Sequence, residues 1–135
     1  ETYLLAEAST PRALELAARE SGTTVARMSD LQKILNDLML RSKVTESHQL
    51  AMDVQAKTLS TLRRRYANAK DLGVKRGPFY VLVGAQMPSI LIEMGFVTNR
   101  VEARRLRAQK FRLLLSKGVA RGILKFAGIP THRLK

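Results

Sequence analysis

The sequence contains no cysteine and no tryptophan, and it has only two histidines among its 135 residues. The absence of cysteine excludes disulfide scaffolds, thiolate zinc sites and cysteine nucleophiles. No apolar run approaches the roughly 18 residues of a membrane span. The segment Glu1–Leu5 has no initiator methionine and none of the basic and apolar regions of a signal peptide. We therefore expect a processed or trimmed chain without a membrane span.

Acidic residues are also scarce. Eleven Asp and Glu oppose 24 Lys and Arg, which gives a formal net charge of +13. The excess is local, because from Arg100 to Lys135 the only acid is Glu102. Such a charge favours polyanions such as nucleic acid, anionic lipid or an anionic wall polymer. A solvated basic surface without a ligand explains the same pattern.

Nucleic-acid binding is the weakest of these interpretations. The basic cluster Arg63–Arg65 and the basic last helix carry no aromatic side chains suited to base stacking, since Phe111 and Phe126 fall on the stripe of that helix that we expect to be buried. No recognised nucleic-acid motif occurs either. We expect weak, salt-sensitive binding to nucleic acid and no specific recognition.

Apolar residues make up 45% of the chain, as in an ordinary globular domain of this length. Capping signals and periodicity predict four helices. Their expected starts are Thr10-Pro11, Ser29, the region of Thr45, and Asn99. Glu102 lies three residues after Asn99, which is the spacing of a capping box, and this last helix is expected to continue to Phe126. Gly118 and Gly122 lie on its apolar stripe, which indicates close packing against the sheet.

Three segments are predicted to be strands: Thr2–Leu5, the apolar run Phe79–Val83, and Ser89–Glu93. The second and third look covered on both faces. Buried strands among long helices predict an α/β fold with a layered sheet and helices on both faces.

Glu93 closes an apolar strand, where a carboxylate is costly unless it has a function or a partner. Ligands collect at the carboxyl ends of strands in open α/β sheets. A partly desolvated carboxylate there is suited to proton transfer. An ion pair with one of the many arginines is the structural alternative.

The segments Gly73–Leu82 and Met87–Asn99 resemble the C-terminal signature of zinc-dependent N-acetylmuramoyl-L-alanine amidases, which are bacterial cell-wall hydrolases. The string Pro-Ser-x-Leu-x-Glu-x-Gly-Phe-x-Thr-Asn, residues 88–99, is the most specific part. Glu1–Leu5 resembles an upstream strand of the family. The resemblance covers residues 1–127, which we interpret as the C-terminal portion of an amidase catalytic domain, followed by a basic tail at 128–135.

The resemblance implies hydrolysis of the amide between N-acetylmuramic acid and L-alanine of peptidoglycan, through a zinc-activated water. The family's strand-terminal glutamate falls on Glu93, which would be the catalytic general base. Gly95 and Phe96 match the turn after it, and we interpret them as a backbone requirement and as core packing, not as catalytic residues. Asn99 is interpreted as a helix cap rather than a substrate contact.

The family's zinc ligands, two histidines and a glutamate in an N-terminal half, have no counterpart here. His48 and His132 do not match ligand positions and are expected on the surface. We therefore predict no metal ligand in this chain, an incomplete domain that is inactive alone, and zinc only in the complete family domain. A strand edge left uncovered would make the isolated chain marginally stable, so that it associates or belongs to a longer chain.

The resemblance also implies export to the periplasm or cell envelope. The expected partners are peptidoglycan and either the missing N-terminal half or an activator protein. The alternative function is a non-catalytic wall-binding or regulatory module that keeps the amidase scaffold without zinc.

Overall fold

The computed structural model describes residues 1–30 and 41–130. Its strands are β1 (Thr2–Leu5), β2 (Val74–Gly77) and β3 (Leu91–Ile92), and a 3₁₀ turn covers Tyr80–Leu82. Its helices are α1 (Pro11–Glu20), α2 (residues 25–30), α3 (Arg41–Arg63), α4 (Arg100–Arg107) and α5 (Gln109–Phe126). The α/β class is confirmed. None of the helices within these residues is long and apolar enough to cross a membrane.

The chain forms two compact units, which we call the sheet unit (Thr2–Ala51 with Val74–Leu91) and the helical unit (Glu1, Met52–Gly73 and Ile92–Lys135). In the sheet, β1 is the central strand, in the order β2-β1-β3. β1 and β2 are parallel, with Thr2 opposite Val74 and Leu5 opposite Gly77.

The core of the sheet unit forms around the ring pair of Tyr3 and Phe79, whose centroids are 4.7 Å apart. Small residues of α1 close over it, with Ala13 and Ala17 at 1% and 0% exposure. α1 begins as its sequence predicts, because the Thr10 hydroxyl accepts the amide of Ala13 at 3.2 Å and Pro11 occupies the first turn.

The predicted strand Phe79–Val83 is wrong. The segment contains a 3₁₀ turn, in which Leu82 is buried and Tyr80 and Val81 are 63% and 72% exposed; Phe79 before it is buried. The second strand is instead the polar segment Val74–Gly77, which pairs with β1. The predicted strand Ser89–Glu93 is reduced to Leu91–Ile92. An apolar run indicates burial but not strand structure. Here the strands are defined by backbone pairing, which the polar segment makes and the apolar run does not.

The start of α2 also differs from the prediction. α2 begins before Ser29, because the Thr24 hydroxyl accepts the amide of Arg27 at 3.3 Å and residues 25–30 are already helical. The continuation of that predicted helix lies outside the described residues. α3 ends at Arg63, at the start of the basic cluster Arg63–Arg65.

The last predicted helix is divided at Ala108, which has extended backbone angles. Arg112 compensates for the break: its guanidinium donates to the carbonyl oxygens of Leu106 and Arg107 at 2.9 and 2.6 Å. These carbonyls at the end of α4 would otherwise lack helical partners.

In the helical unit, α5 packs closely on the second half of α3. Gly118 and Gly122 are buried on α5. A Cβ at Gly118 would lie 2.6 Å from the Cα of Thr58, and one at Gly122 would lie 2.8 Å from the amide nitrogen of Val54. The expected close packing is confirmed, but its partner is helix α3 and not the sheet.

Candidate active site

Glu93 directly follows β3, and its backbone is fixed by the start of the chain. The amide of Glu93 donates to the carbonyl of Glu1 at 2.9 Å, and the Glu1 nitrogen donates to the Glu93 carbonyl at 3.3 Å. This reciprocal pair places two carboxylate-bearing residues side by side. Both side chains are half-buried.

Glu93 and Glu1 line a cavity of about 370 Å³ within the helical unit. The cavity also has a wall of aromatic and polar residues, which includes Tyr66, Asn68, Lys70, Phe96, Asn99, Glu102, Arg105 and Phe111. The carboxylate predicted as the general base therefore borders a space that can admit a ligand. Arg105 borders the same cavity, but its guanidinium lies over the Tyr66 ring, 5.2 Å from the centroid.

The turn after Glu93 is held against α4. Oε2 of Glu102 accepts the amide of Phe96 at 2.7 Å. A Cβ on Gly95, whose φ is 157°, would lie 3.2 Å from the same carboxylate oxygen. Gly95 thus lets Glu102 approach the backbone, as its interpretation as a backbone requirement suggests.

Asn99 caps α4, as the sequence predicts. Its Oδ1 accepts the amides of Val101 and Glu102 at 3.0 and 3.3 Å. The spacing of Asn99 and Glu102 suggested a capping box, in which Glu102 would accept the Asn99 amide. That amide instead donates to the carbonyl of Phe96 at 3.0 Å. Glu102 instead accepts the amide of Phe96, three residues before Asn99. The spacing thus identified Glu102 as a residue that accepts a backbone amide near the helix start, but not which amide.

Tyr66 forms part of the cavity wall and was not recognised from the sequence. Its ring meets Phe111 edge-on, with centroids 5.2 Å apart and planes at 83°. Phe111 is 7% exposed, so the predicted buried stripe of the last helix is correct at this position. In the sequence, Tyr66 directly follows the basic cluster Arg63–Arg65, and that segment was interpreted from its charge alone.

Asp71 lies in the segment that borders the cavity through Lys70 and Leu72. The Gln55 amide group, which donates to Asp71 Oδ1 at 2.7 Å, and the Gly73 amide, which donates at 2.9 Å, hold the pKa of Asp71 below its ordinary value. The nearby Arg63 contributes in the same direction. Hydrogen bonds to the charged form thus favour an ionised Asp71.

The residues at this site do not fit a zinc ion. Within residues 1–30 and 41–130, no group of three or more His, Cys, Asp and Glu side chains could hold a metal. His48 lies on α3 and is partly exposed. His132 is outside the described residues.

A family model described as N-acetylmuramoyl-L-alanine amidase matches residues 10–125. The chain belongs to the N-acetylmuramoyl-L-alanine amidase family. The match includes Glu93, Gly95, Phe96 and Asn99, the segment on which the resemblance was strongest. No solved structure matches the chain significantly.

Curated proteins similar to this amidase-family chain come from several bacteria. Uncharacterized protein YqiI of Bacillus subtilis is 38% identical over 77 residues, which are 57% of this chain and 35% of YqiI. N-acetylmuramoyl-L-alanine amidase LytC of B. subtilis is 30% identical over 62% of this chain and 16% of LytC. N-acetylmuramoyl-L-alanine amidase AmiA of Salmonella typhimurium is 27% identical over 71% of this chain and 32% of AmiA. The chain thus spans about a third or less of these relatives.

Proposed function

We propose that this chain is part of a peptidoglycan hydrolase that cleaves the amide between N-acetylmuramic acid and L-alanine of the stem peptide. The observation that carries the proposal is the position of Glu93, half-buried at the end of β3 and on the wall of a cavity of about 370 Å³. Membership of the amidase family supports the bond that is cleaved.

In the proposed reaction, the carboxylate of Glu93 accepts a proton from the water that attacks the amide carbonyl. It then returns a proton to the leaving amine of L-alanine. A partly desolvated carboxylate suits both transfers. Glu102 acts as a positioning residue, because it holds the Phe96 amide at 2.7 Å and thereby fixes the turn that follows Glu93.

The zinc of the family would require ligands from outside the described residues. The proposal therefore assigns Glu93 its proton transfers and leaves the metal to the complete family domain. We propose that the protein acts in the cell envelope or periplasm, where peptidoglycan is found. The remaining part of the family domain, or an activator protein, is the proposed protein partner.

The test compares Glu93→Gln with Glu7→Gln, an exposed glutamate outside the cavity. The full-length protein is assayed for the release of stem peptides from purified peptidoglycan. Loss of a general base lowers turnover by about 10² to 10⁴, so we expect Glu93→Gln to lose at least a hundredfold and Glu7→Gln to retain activity. Unchanged turnover in Glu93→Gln, with unchanged binding of a soluble muramoyl peptide, would remove Glu93 from the mechanism.

A non-catalytic wall-binding module is the second candidate function, and the cationic helices α4 and α5 favour it. It is distinguished by the zinc content of the full-length protein and by its action on peptidoglycan. Stoichiometric zinc together with peptide release supports the hydrolase. Tight binding to peptidoglycan without peptide release supports the module.

A further inference from the structure

A second concave surface lies in the helical unit, formed by the turn after α3 and the outer side of α5. It is a groove of about 410 Å³, lined by Arg65, Tyr66, Lys110, Leu113, Leu114 and Lys117. Three of these six residues are cations and none is an acid. We call this surface the basic groove.

The cations of the basic groove differ from others on the same helices. Nζ of Lys125 lies 2.6 Å from the carboxylate of buried Asp53, and Arg112 is occupied by the carbonyls at the end of α4. In the described ranges of the chain, by contrast, no ion pair involves Arg65, Lys110 or Lys117, and all three are exposed. Their charges are therefore available to a ligand.

The spacing of the cations suits a ligand with several separated charges. Lys110 and Lys117 lie seven residues apart on α5, which at a rise of 1.5 Å per residue is about 10 Å along the helix axis. Arg65 lines the same groove from the turn that follows α3. A single small anion cannot contact cations spread over that distance, whereas a chain with repeated negative charges can.

The apolar part of the basic groove argues against a nucleic acid as the ligand. Leu113 is 57% exposed, and Leu114 lies beside it. The only aromatic side chain of the groove is Tyr66, which has Arg105 over its face and Phe111 against its ring. Stacking of bases on exposed aromatic faces is the usual mode for single strands, and this ring is already engaged.

We propose that the basic groove binds a polyol-phosphate polymer, an anionic chain in which phosphodiesters alternate with short polyol units. Arg65, Lys110 and Lys117 contact successive phosphates. Leu113 and Leu114 pack against the carbon atoms of the polyol between them. The net charge of +13 assists the encounter with such a polymer. The proposal does not depend on the hydrolase activity, because the groove residues do not include Glu93.

The experiment measures binding of the full-length protein to a synthetic poly(glycerol phosphate) of defined length, over a series of salt concentrations. The test variant combines Arg65→Gln, Lys110→Gln and Lys117→Gln. The control variant combines Arg12→Gln, Arg19→Gln and Arg27→Gln, which remove the same charge from exposed positions of the sheet unit. Both variants reduce the net charge equally.

We expect the groove variant to lose at least about tenfold in affinity and the slope of log affinity against log salt to fall by about 2, as removal of three phosphate contacts implies. The control variant is expected to change the affinity less than threefold, within what general charge would cause. Equal losses in the two variants would overturn the proposal, because diffuse charge would then explain the binding.

Two further ligands separate the proposed occupant from others. Monomeric glycerol phosphate that bound as tightly as the polymer would overturn the polymeric ligand. A single-stranded oligonucleotide with the same number of phosphodiesters that bound more tightly, and lost more affinity in the groove variant, would replace it with nucleic acid. If thermal unfolding shows that the triple variant is misfolded, Leu113→Ser is substituted, and an unchanged affinity for the polymer then contradicts the proposed packing.

Discussion

The close contact between α3 and α5 leads to a sharp prediction for Gly122→Ala. Alanine is the better helix former by about 1 kcal/mol, so an isolated α5 would become more stable. In the folded protein, the new Cβ would overlap the Cα of Val54 and lie 2.9 Å from the carbonyl oxygen of Asp53. These are backbone atoms of α3, and they cannot move aside as a flexible side chain could.

The magnitude follows from these opposing effects. Overpacking in a well-packed core costs about 1–3 kcal/mol and occasionally more. A contact with helix backbone belongs at the upper end, so after the gain in helix propensity we expect a net destabilisation of about 2 kcal/mol. For a chain of this length, that lowers the melting temperature by roughly 6–10 °C.

The assay is thermal and urea unfolding followed by circular dichroism, with Ser116→Ala as the matched control. Ser116 is exposed on the same helix, so its replacement by alanine changes helix propensity without touching α3. We expect the control to stay within about 0.5 kcal/mol of the parent. A melting temperature for Gly122→Ala equal to or above that of the parent would show that the two helices do not cross at Val54.

Three further predictions concern the cavity border and the sheet unit. The pKa of Asp71 is lowered in the folded protein. The ionised side chain therefore stabilises the fold at pH values above its ordinary pKa of 3.8, and this stabilisation is lost as the pH falls through the folded pKa. The stability gap between the parent and Asp71→Asn should therefore shrink on acidification below about pH 4 in urea titrations, and a gap independent of pH would contradict this. Glu102→Ala should accelerate hydrogen exchange of the Phe96 amide, whereas Glu102→Gln, which keeps an acceptor, should accelerate it less; equal rates would refute the contact. Phe79→Ala should cost about 3–5 kcal/mol in urea unfolding, while Val81→Ala should be nearly neutral, and equal costs would restore the strand that the apolar run suggested.

Local chemistry made the starts of α1 and α4 and the site segment predictable from the sequence. The side chains of Thr10 and Asn99 accept hydrogen bonds from free backbone amides at the starts of α1 and α4. Pro11 has no backbone N–H, and it lies in the first turn of α1, where none is needed. Glu93 was found because an acid that ends an apolar strand is unusual, and the structure places it on a cavity wall. Its role as a base stays a prediction.

The parts that the sequence did not predict depend on long-range pairing. Residues 74–77 contain Lys75 and Arg76 and carry no strand pattern, yet they pair with β1. The break at Ala108 has no proline or glycine to announce it, and Arg112 stabilises it from the next helix. Tyr66 obtains its partners, Phe111 and Arg105, from residues about 40 positions away.

One ring borders two compartments. Tyr66 lines both the cavity that contains Glu93 and the basic groove. A tilt of the Tyr66 ring that widened the cavity would narrow the basic groove. If a ligand in either space moved the ring, it would change the affinity for a ligand in the other space, and reciprocity of linkage demands that the two effects be equal.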